Sequence, residues 1–294
     1  MKTLITSYHS PDLDGIACMY YHELLAKQKN NVEFYIGTMF SEAEFALKEC
    51  NIDTINNVES NFNNYDNYIL VDTGILSSLK EFKSIKPNQI VEIIDHHPFE
   101  RQSKLKKTKV QNDKIGAAAT IVVERFIKAK IDISRKSKLL YLAIASNTLN
   151  LNAGTTTQRD IDAFSYLEDK FNLNKQTIHD MFEYKSKFDD LKTHFLIDTK
   201  FIGKINYTQI EMIINKLLNE KYNEIIAFMD KIKEDDNNDI LISLIDIREN
   251  KNIFICRNTN IKQKIEQKLI KFENDIAHKK FILRKELSPM ILNN

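Results

Sequence analysis

Through the first half of the chain, short apolar runs alternate with helix-patterned segments, and several runs break off into aspartate or histidine. Leu4-Ile5-Thr6-Ser7-Tyr8, Val32-Glu33-Phe34-Tyr35-Ile36, Tyr68-Ile69-Leu70-Val71 and Ile90-Val91-Glu92-Ile93-Ile94 read as strands. The later ones are apolar along most of their length, as strands covered on both faces are. Ile16 to Lys27, Ala117 to Lys128 and Ser137 to Ala145 carry helical patterns. This alternation builds βαβ units, so residues 1–186 are expected to form an α/β domain with a parallel, Rossmann-like sheet and helices on both faces.

A polar stretch, Glu183 to Asp190, reads as a linker, and the pattern changes beyond it. Phe195 to Phe201 and Ile205 to Ile210 suggest a hairpin about Gly203-Lys204, followed by a helix through Ile213, Leu217 and Leu218. Ile240 to Ile247 and Ile253 to Cys256 suggest a second hairpin. A helix over Ile261 to Phe272 and a terminal strand at Phe281-Ile282-Leu283 complete the expectation. Residues 187–294 are therefore expected to form a smaller mixed α/β domain, and 294 residues suffice for two cores.

Forty-two basic residues stand against forty-one acidic ones, which excludes a strongly basic nucleic-acid-binding chain or an acidic tail. Three scattered cysteines are too few for a disulfide framework or a thiolate zinc site. No apolar stretch approaches the roughly 20 residues of a membrane span, and Met1 to Thr6 lacks a signal-peptide pattern, so a cytoplasmic protein is expected.

The residues with chemistry lie where apolar segments end. They are His9-Ser10-Pro11-Asp12-Leu13-Asp14-Gly15, Val71-Asp72-Thr73-Gly74, Asp95-His96-His97-Pro98 and Ser146-Asn147-Thr148. The carboxyl ends of parallel strands form the ligand crevice of an open α/β sheet, so these side chains should converge. Imidazole with several carboxylates and no thiolate suits manganese or magnesium. Asp12 and Asp14 are spaced to address two different ions with Asp72 bridging, an arrangement that serves phosphoryl chemistry.

With these residues in view, the sequence resembles the DHH phosphoesterase superfamily, whose name is spelled here by Asp95-His96-His97. His9 with Asp12-Leu13-Asp14 resembles its first motif and Val71-Asp72-Thr73-Gly74 its second. Ile115 to Val122 resembles its Gly-x-x-Ala-Thr-Ile-Val segment. Asn147-Thr148-Leu149, Thr155-Thr156-Thr157 and Asp160 resemble the fourth motif of manganese-dependent inorganic pyrophosphatases. Leu283-Arg284-Lys285-Glu286 resembles the Ser-Arg-Lys-Lys sequence of that branch's accessory domain, DHHA2.

The resemblance implies two ions per site, manganese or else magnesium or cobalt. His9, Asp12 and Asp72 would hold one; Asp14, Asp72, His96 and Asn147 would hold the other. It implies His97 as general acid, Asp95 as the residue orienting a histidine, and Arg284, Lys285 and Lys200 as phosphate ligands, with Lys192 competing for the place of Lys200. The expected activity is hydrolysis of pyrophosphate or short polyphosphate by a dimetal-bound hydroxide between the two domains. Polar residues 185–190 would be the hinge. A homodimer is a further implication, and no nucleic-acid or membrane partner is indicated.

Three positions depart from the family: a shortened first motif, Leu283 before Arg284, and Asn147 where the family has a metal-binding Asp. A neutral Asn147 predicts a weaker second ion and slower hydrolysis, whether it is an introduced Asp-to-Asn change, a natural variant or a mark of degeneracy. One alternative is a phosphodiesterase on short oligonucleotides or cyclic nucleotides, although the six isolated glycines do not form that branch's glycine-rich loop. Another is a metal- or nucleotide-binding regulator without turnover.

Overall fold

The computed structural model describes residues 1–8, 11–21, 32–35, 41–52, 64–73, 85–98, 105, 107–187, 195–196, 199–203, 205–212, 217–236, 239–266, 271–280 and 282–292. The chain divides into two compact units: Met1–Leu151 with Thr155–Met181, and Asn152–Gly154 with Phe182–Asn294.

The first unit is built on β1 (Thr3–Thr6), β2 (Val32–Tyr35), β3 (Asn67–Val71), β4 (Ile90–Asp95) and β5 (Lys109–Asn112). Every pairing is parallel and the spatial order is β2-β1-β3-β4-β5. The order reverses between β1 and β3, so the carboxyl ends of those two strands flank the crevice where open α/β sheets hold ligands. Leu4, Tyr68, Leu70, Ile90 and Ile93 share one core cluster with Tyr65 and Leu105: Tyr68 and Leu70 alternate as the pleat requires, and the register shift between β3 and β4 at Tyr68/Ile69 brings Ile90 and Ile93, three residues apart, to the same side. Among the described residues the unit also holds helices α1 (Leu13–Met19), α2 (Ser41–Glu49), α3 (Ala118–Ala129), α4 (Ser137–Asn147) and α5 (Gln158–Phe171); α6 (Gln176–Lys185) runs across the division after Met181, and α1, α3 and α4 pack on one another. All seven residues of α1 are buried, Asp14 among them.

The second unit carries a mixed sheet in the order β10-β9-β8-β7-β6. Its strands are β6 (Thr199–Ile202), β7 (Ile205–Met212), β8 (Asp239–Asp246), β9 (Lys251–Cys256) and β10 (Ile276–Lys280), with β7 and β8 alone parallel. Alternation again sorts the core. Ile240, Ile242 and Leu244 join Ile225, Phe228 and Met229 of α7 (Leu217–Asp236), whereas Leu241, Phe254 and Cys256 join Ile261 and Ile265 of α8 (Thr259–Glu266) and Leu287 and Ile291 of α9 (Arg284–Leu292). Helices thus cover both faces of this sheet.

The architecture is the α/β pair that the sequence predicts, with local differences. Ile282-Leu283 does not form a terminal strand, and Phe281 lies outside the described residues. Leu283, Leu287 and Ile291 recur at helical spacing, and Glu286 Oε2 accepts from the Leu283 N–H at 2.9 Å, which starts α9. The polar stretch read as a linker is helical to Lys185, because Ile178, Met181 and Phe182 give α6 a buried stripe; residues 188–190 and Lys192 lie outside the described residues. Phe195 is helical rather than extended and packs edge-on against Phe228 at 5.5 Å. Helix α8 is described to Glu266, residues 267–270 lie outside the described residues, and Phe272 is not helical. Strand β5 and helices α2, α5 and α6 were not resolved by the sequence patterns.

Candidate metal centre

The centre is assembled at the carboxyl ends of β1, β3 and β4. Asp12 caps α1: its backbone is extended and its Oδ1 accepts from Asp14 N at 3.0 Å and Gly15 N at 3.1 Å. Two residues on, Asp14 points into the protein and caps another helix. Its Oδ2 accepts from Ala118 N at 2.8 Å and its Oδ1 from Ala119 N at 2.7 Å. Helix α3 has no side-chain cap of its own, since Ala117 precedes it, and Asp14 satisfies its first free donors.

Asp72 follows β3 with φ of 53°, a left-handed conformation that aspartate tolerates better than most residues. Its N–H still bonds Ile94 O at 2.8 Å, so the backbone stays in the sheet as the side chain enters the centre. Asp72 is buried, and neither carboxylate oxygen has a hydrogen-bond partner among the described residues. Burial, then the charges of Asp12 and Asp14, pushes its carboxyl well above the usual range. Burial also raises Asp14, opposed by His96 and by the α3 N–H groups.

At the last residue of β4, Asp95 Oδ1 accepts from the N–H groups of His96 at 2.8 Å and His97 at 3.2 Å, and from His97 Nδ1 at 2.9 Å. His96 Nδ1 faces Ile115 O at 3.0 Å, and a carbonyl can only accept, so Nδ1 carries the proton. Its Nε2 lies 3.4 Å from Asp72 Oδ1 and 3.7 Å from Asp14 Oδ2. His97 Nδ1 lies 3.7 Å from Asp72 Oδ1, and its ring is 45% exposed. Burial works against charge on His97, but the Asp95 hydrogen bond and the Asp72 carboxylate outweigh it and raise its pKa. Asn147, the last residue of α4, closes the group: its Nδ2 donates to Asp14 Oδ2 at 2.6 Å and sits 3.3 Å from His96 Nε2.

A buried carboxylate with two bare oxygens fits a cation, because it would otherwise be an uncompensated polar group. Ligand atoms of Asp72, His96 and His97 lie within 4.8 Å of one another, a spacing a metal ion can bridge. The set of carboxylate and imidazole, its His96 oriented from behind by a carbonyl, suits manganese or magnesium.

The structure thus brings Asp12, Asp14, Asp72, Asp95, His96, His97 and Asn147 together, while His9 lies outside the described residues. Arg284, Lys285 and Lys200 belong to the second unit. Arg284 opens α9 and its Nη1 donates to Tyr207 O at 3.0 Å; Lys200 is exposed on β6; the Lys285 side chain lies outside the described residues.

Two further residues support the centre without a role that the sequence alone indicates. Glu42, buried on α2, accepts from Leu13 N at 3.4 Å and Ser146 Oγ at 2.9 Å, tying the start of α1 to the end of α4. Asp160, noted only as part of a motif, accepts from Gly116 N, Ala117 N, Thr120 Oγ1 and both donors of Thr157. The only advance sign of the latter was the Thr157-x-x-Asp160 capping pattern.

A protein-family model described as the DHH family, N-terminal domain, matches residues 2–146. A probable manganese-dependent inorganic pyrophosphatase of Clostridium acetobutylicum is 27% identical over 276 residues, covering 87% of this chain and 85% of the relative. The manganese-dependent inorganic pyrophosphatase of Bacillus subtilis is 24% identical over 313 residues, covering 99% and 97%. A crystal structure described as a Methanococcus jannaschii putative family II inorganic pyrophosphatase matches with a TM-score of 0.73 and 21% identity over 98% of each chain, a likeness of fold.

Proposed function

This chain belongs to the DHH family through residues 2–146, and from that premise we propose that it is a divalent-metal-dependent hydrolase of phosphoanhydride bonds, acting on inorganic pyrophosphate or a short polyphosphate. The observation that carries the reading is Asp72, a buried carboxylate without hydrogen-bond partners among the described residues, set against His96 Nε2 and His97 Nδ1. The names of full-length relatives support manganese and pyrophosphate.

His9, Asp12, Asp14, Asp72 and His96 are the residues proposed to hold the ions. Bound divalent ions supply activation of water and neutralisation of charge on phosphoryl oxygens. The chain's own part in the proton balance falls to His97. Asp95 holds its Nδ1, which leaves Nε2 to give a proton to the departing phosphate. Arg284 and Lys285, with Lys200, are proposed to bind substrate phosphates; a guanidinium fork and an ammonium suit that chemistry.

The test is release of phosphate from pyrophosphate, tripolyphosphate and longer polyphosphate with Mn²⁺ or Mg²⁺, and of nucleotide from a short oligonucleotide. Metal-dependent turnover of the phosphoanhydrides is the expected result. Nucleotide release alone would move the assignment to a phosphodiesterase, and binding without turnover on any substrate would leave a regulator.

A further inference from the structure

Two carboxylates of the centre are satisfied in opposite ways. Asp14 Oδ1 accepts from Ala119 N, and its Oδ2 accepts from both Ala118 N and Asn147 Nδ2. Asp72, equally buried, has no hydrogen-bond partner at either oxygen among the described residues. Two of the three donors to Asp14 are the first N–H groups of α3; the third is the side chain of Asn147. Its amide nitrogen has two hydrogens and faces two acceptors, Asp14 Oδ2 at 2.6 Å and His96 Nε2 at 3.3 Å. With Nδ1 of His96 committed to Ile115 O at 3.0 Å, Nε2 offers a lone pair on that side. The amide oxygen in the same place would face a carboxylate and that lone pair, so the nitrogen is the favoured end. Asn147 Nδ2 therefore bonds the same two atoms that an ion shared by Asp14 and His96 would bond.

We propose that the Asn147 amide is a stand-in for a cation: it closes the position between Asp14 and His96, so this chain takes up divalent ions in two widely separated steps. The first ion goes to Asp72. The second enters only when the amide swings away and gives up its hydrogen bond to the Asp14 carboxylate. Losing one charge-assisted bond of this kind separates the two affinities by about a hundredfold. Asn147 is then a positioning residue that guards a site, and occupancy of that site follows the free metal concentration. The inference rests on the metal-dependent reading above, but concerns uptake, not turnover.

The experiment titrates Mn²⁺ alone into the metal-free full chain, counting bound ions by equilibrium dialysis and following low-temperature electron paramagnetic resonance. The expected result is one ion per chain with an isolated-ion spectrum until free Mn²⁺ has risen about a hundredfold further. Asn147→Asp should bring the two affinities together and give the spectrum of a coupled pair. Asn147→Ala removes the guard without adding a charge, and should tighten the second ion by about a hundredfold. Two ions of comparable affinity in the unaltered chain would overturn the proposal. So would a second ion that binds Asn147→Ala more weakly, because Asn147 would then be a ligand. Failure of any protein to bind Mn²⁺ would overturn this proposal together with the metal-dependent reading. Stepwise uptake without pyrophosphate turnover would support it and remove only the proposed substrate.

Discussion

Asp95 Oδ1 accepts from His97 Nδ1 at 2.9 Å, which fixes the ring so that its Nε2 faces away from the carboxylate. The same contact, with the Asp72 charge, outweighs burial and raises the His97 pKa. A proton donor must be protonated to act, so activity should fall as pH rises through the His97 pKa, which the Asp95 hydrogen bond alone would hold up where bound ions offset the Asp72 charge. Asp95→Asn keeps an acceptor but removes the charge. The descending limb of the pH–rate profile should move to lower pH, and kcat for pyrophosphate should drop by about 10–100-fold. An unmoved limb would argue against His97 as the acid.

Metal removal should expose the cost of Asp72. Burial and the Asp12 and Asp14 charges raise its folded pKa above its unfolded one, so the metal-free protein loses stability as pH rises through that raised value. At neutral pH, Asp72→Asn should melt at or above the metal-free parent, since it removes a buried carboxyl whose ionisation the fold opposes. Mn²⁺ should reverse the order. At a hundredfold excess over Kd it should stabilise the parent by about 2.7 kcal/mol and leave the variant nearly unmoved. Thermal melts with chelator and with Mn²⁺ decide this.

The ligand clusters were legible because each breaks an apolar period at the point where a strand must end: Asp72 after Val71, Asp95-His96-His97 after Ile94. What holds them was not, because the partners lie far off in sequence. Asp14 caps a helix that begins at Ala118, and Glu42 ties Leu13 to Ser146. Composition could not reveal which end of the Asn147 amide faces the centre, since one side chain carries both a donor and an acceptor. The mistaken terminal strand has a local cause. A short apolar run such as Ile282-Leu283 fits either period, and only Leu287 and Ile291, further along, favour the helix.

Gly15 is held small by the centre itself. A Cβ there would meet Ser7 Oγ and Pro11 Cβ at 2.9 Å and Asp72 Oδ2 at 3.3 Å. Gly15→Ala must displace the end of β1 or press on the Asp72 carboxylate. Expected are a loss of about 1–3 kcal/mol in unfolding free energy and weaker uptake of the first Mn²⁺. Denaturant melts and a metal titration of the same variant would show both. Unchanged metal affinity with lowered stability would place the strain on Pro11 and Ser7 alone.

Asp160 tests whether the centre depends on a support outside it. Its Oδ2 accepts from Gly116 N at 2.8 Å, Thr157 N at 2.8 Å and Thr157 Oγ1 at 2.7 Å; its Oδ1 accepts from Thr120 Oγ1 at 2.7 Å and Ala117 N at 3.2 Å. One fully buried carboxylate thus fixes the start of α5 to the segment that leads into α3, where Ala118 and Ala119 hold Asp14. Asp160→Ala strands several buried donors and should cost about 3 kcal/mol or more. Asp160→Asn keeps one acceptor oxygen but turns a donor toward other donors, so it should recover only part of the loss. If α3 depends on this anchor to present its N–H groups, both variants should also weaken the second Mn²⁺ more than the first, because Asp14 serves that position. Equal weakening of the two ions would show that Asp160 supports the fold without setting the geometry of Asp14.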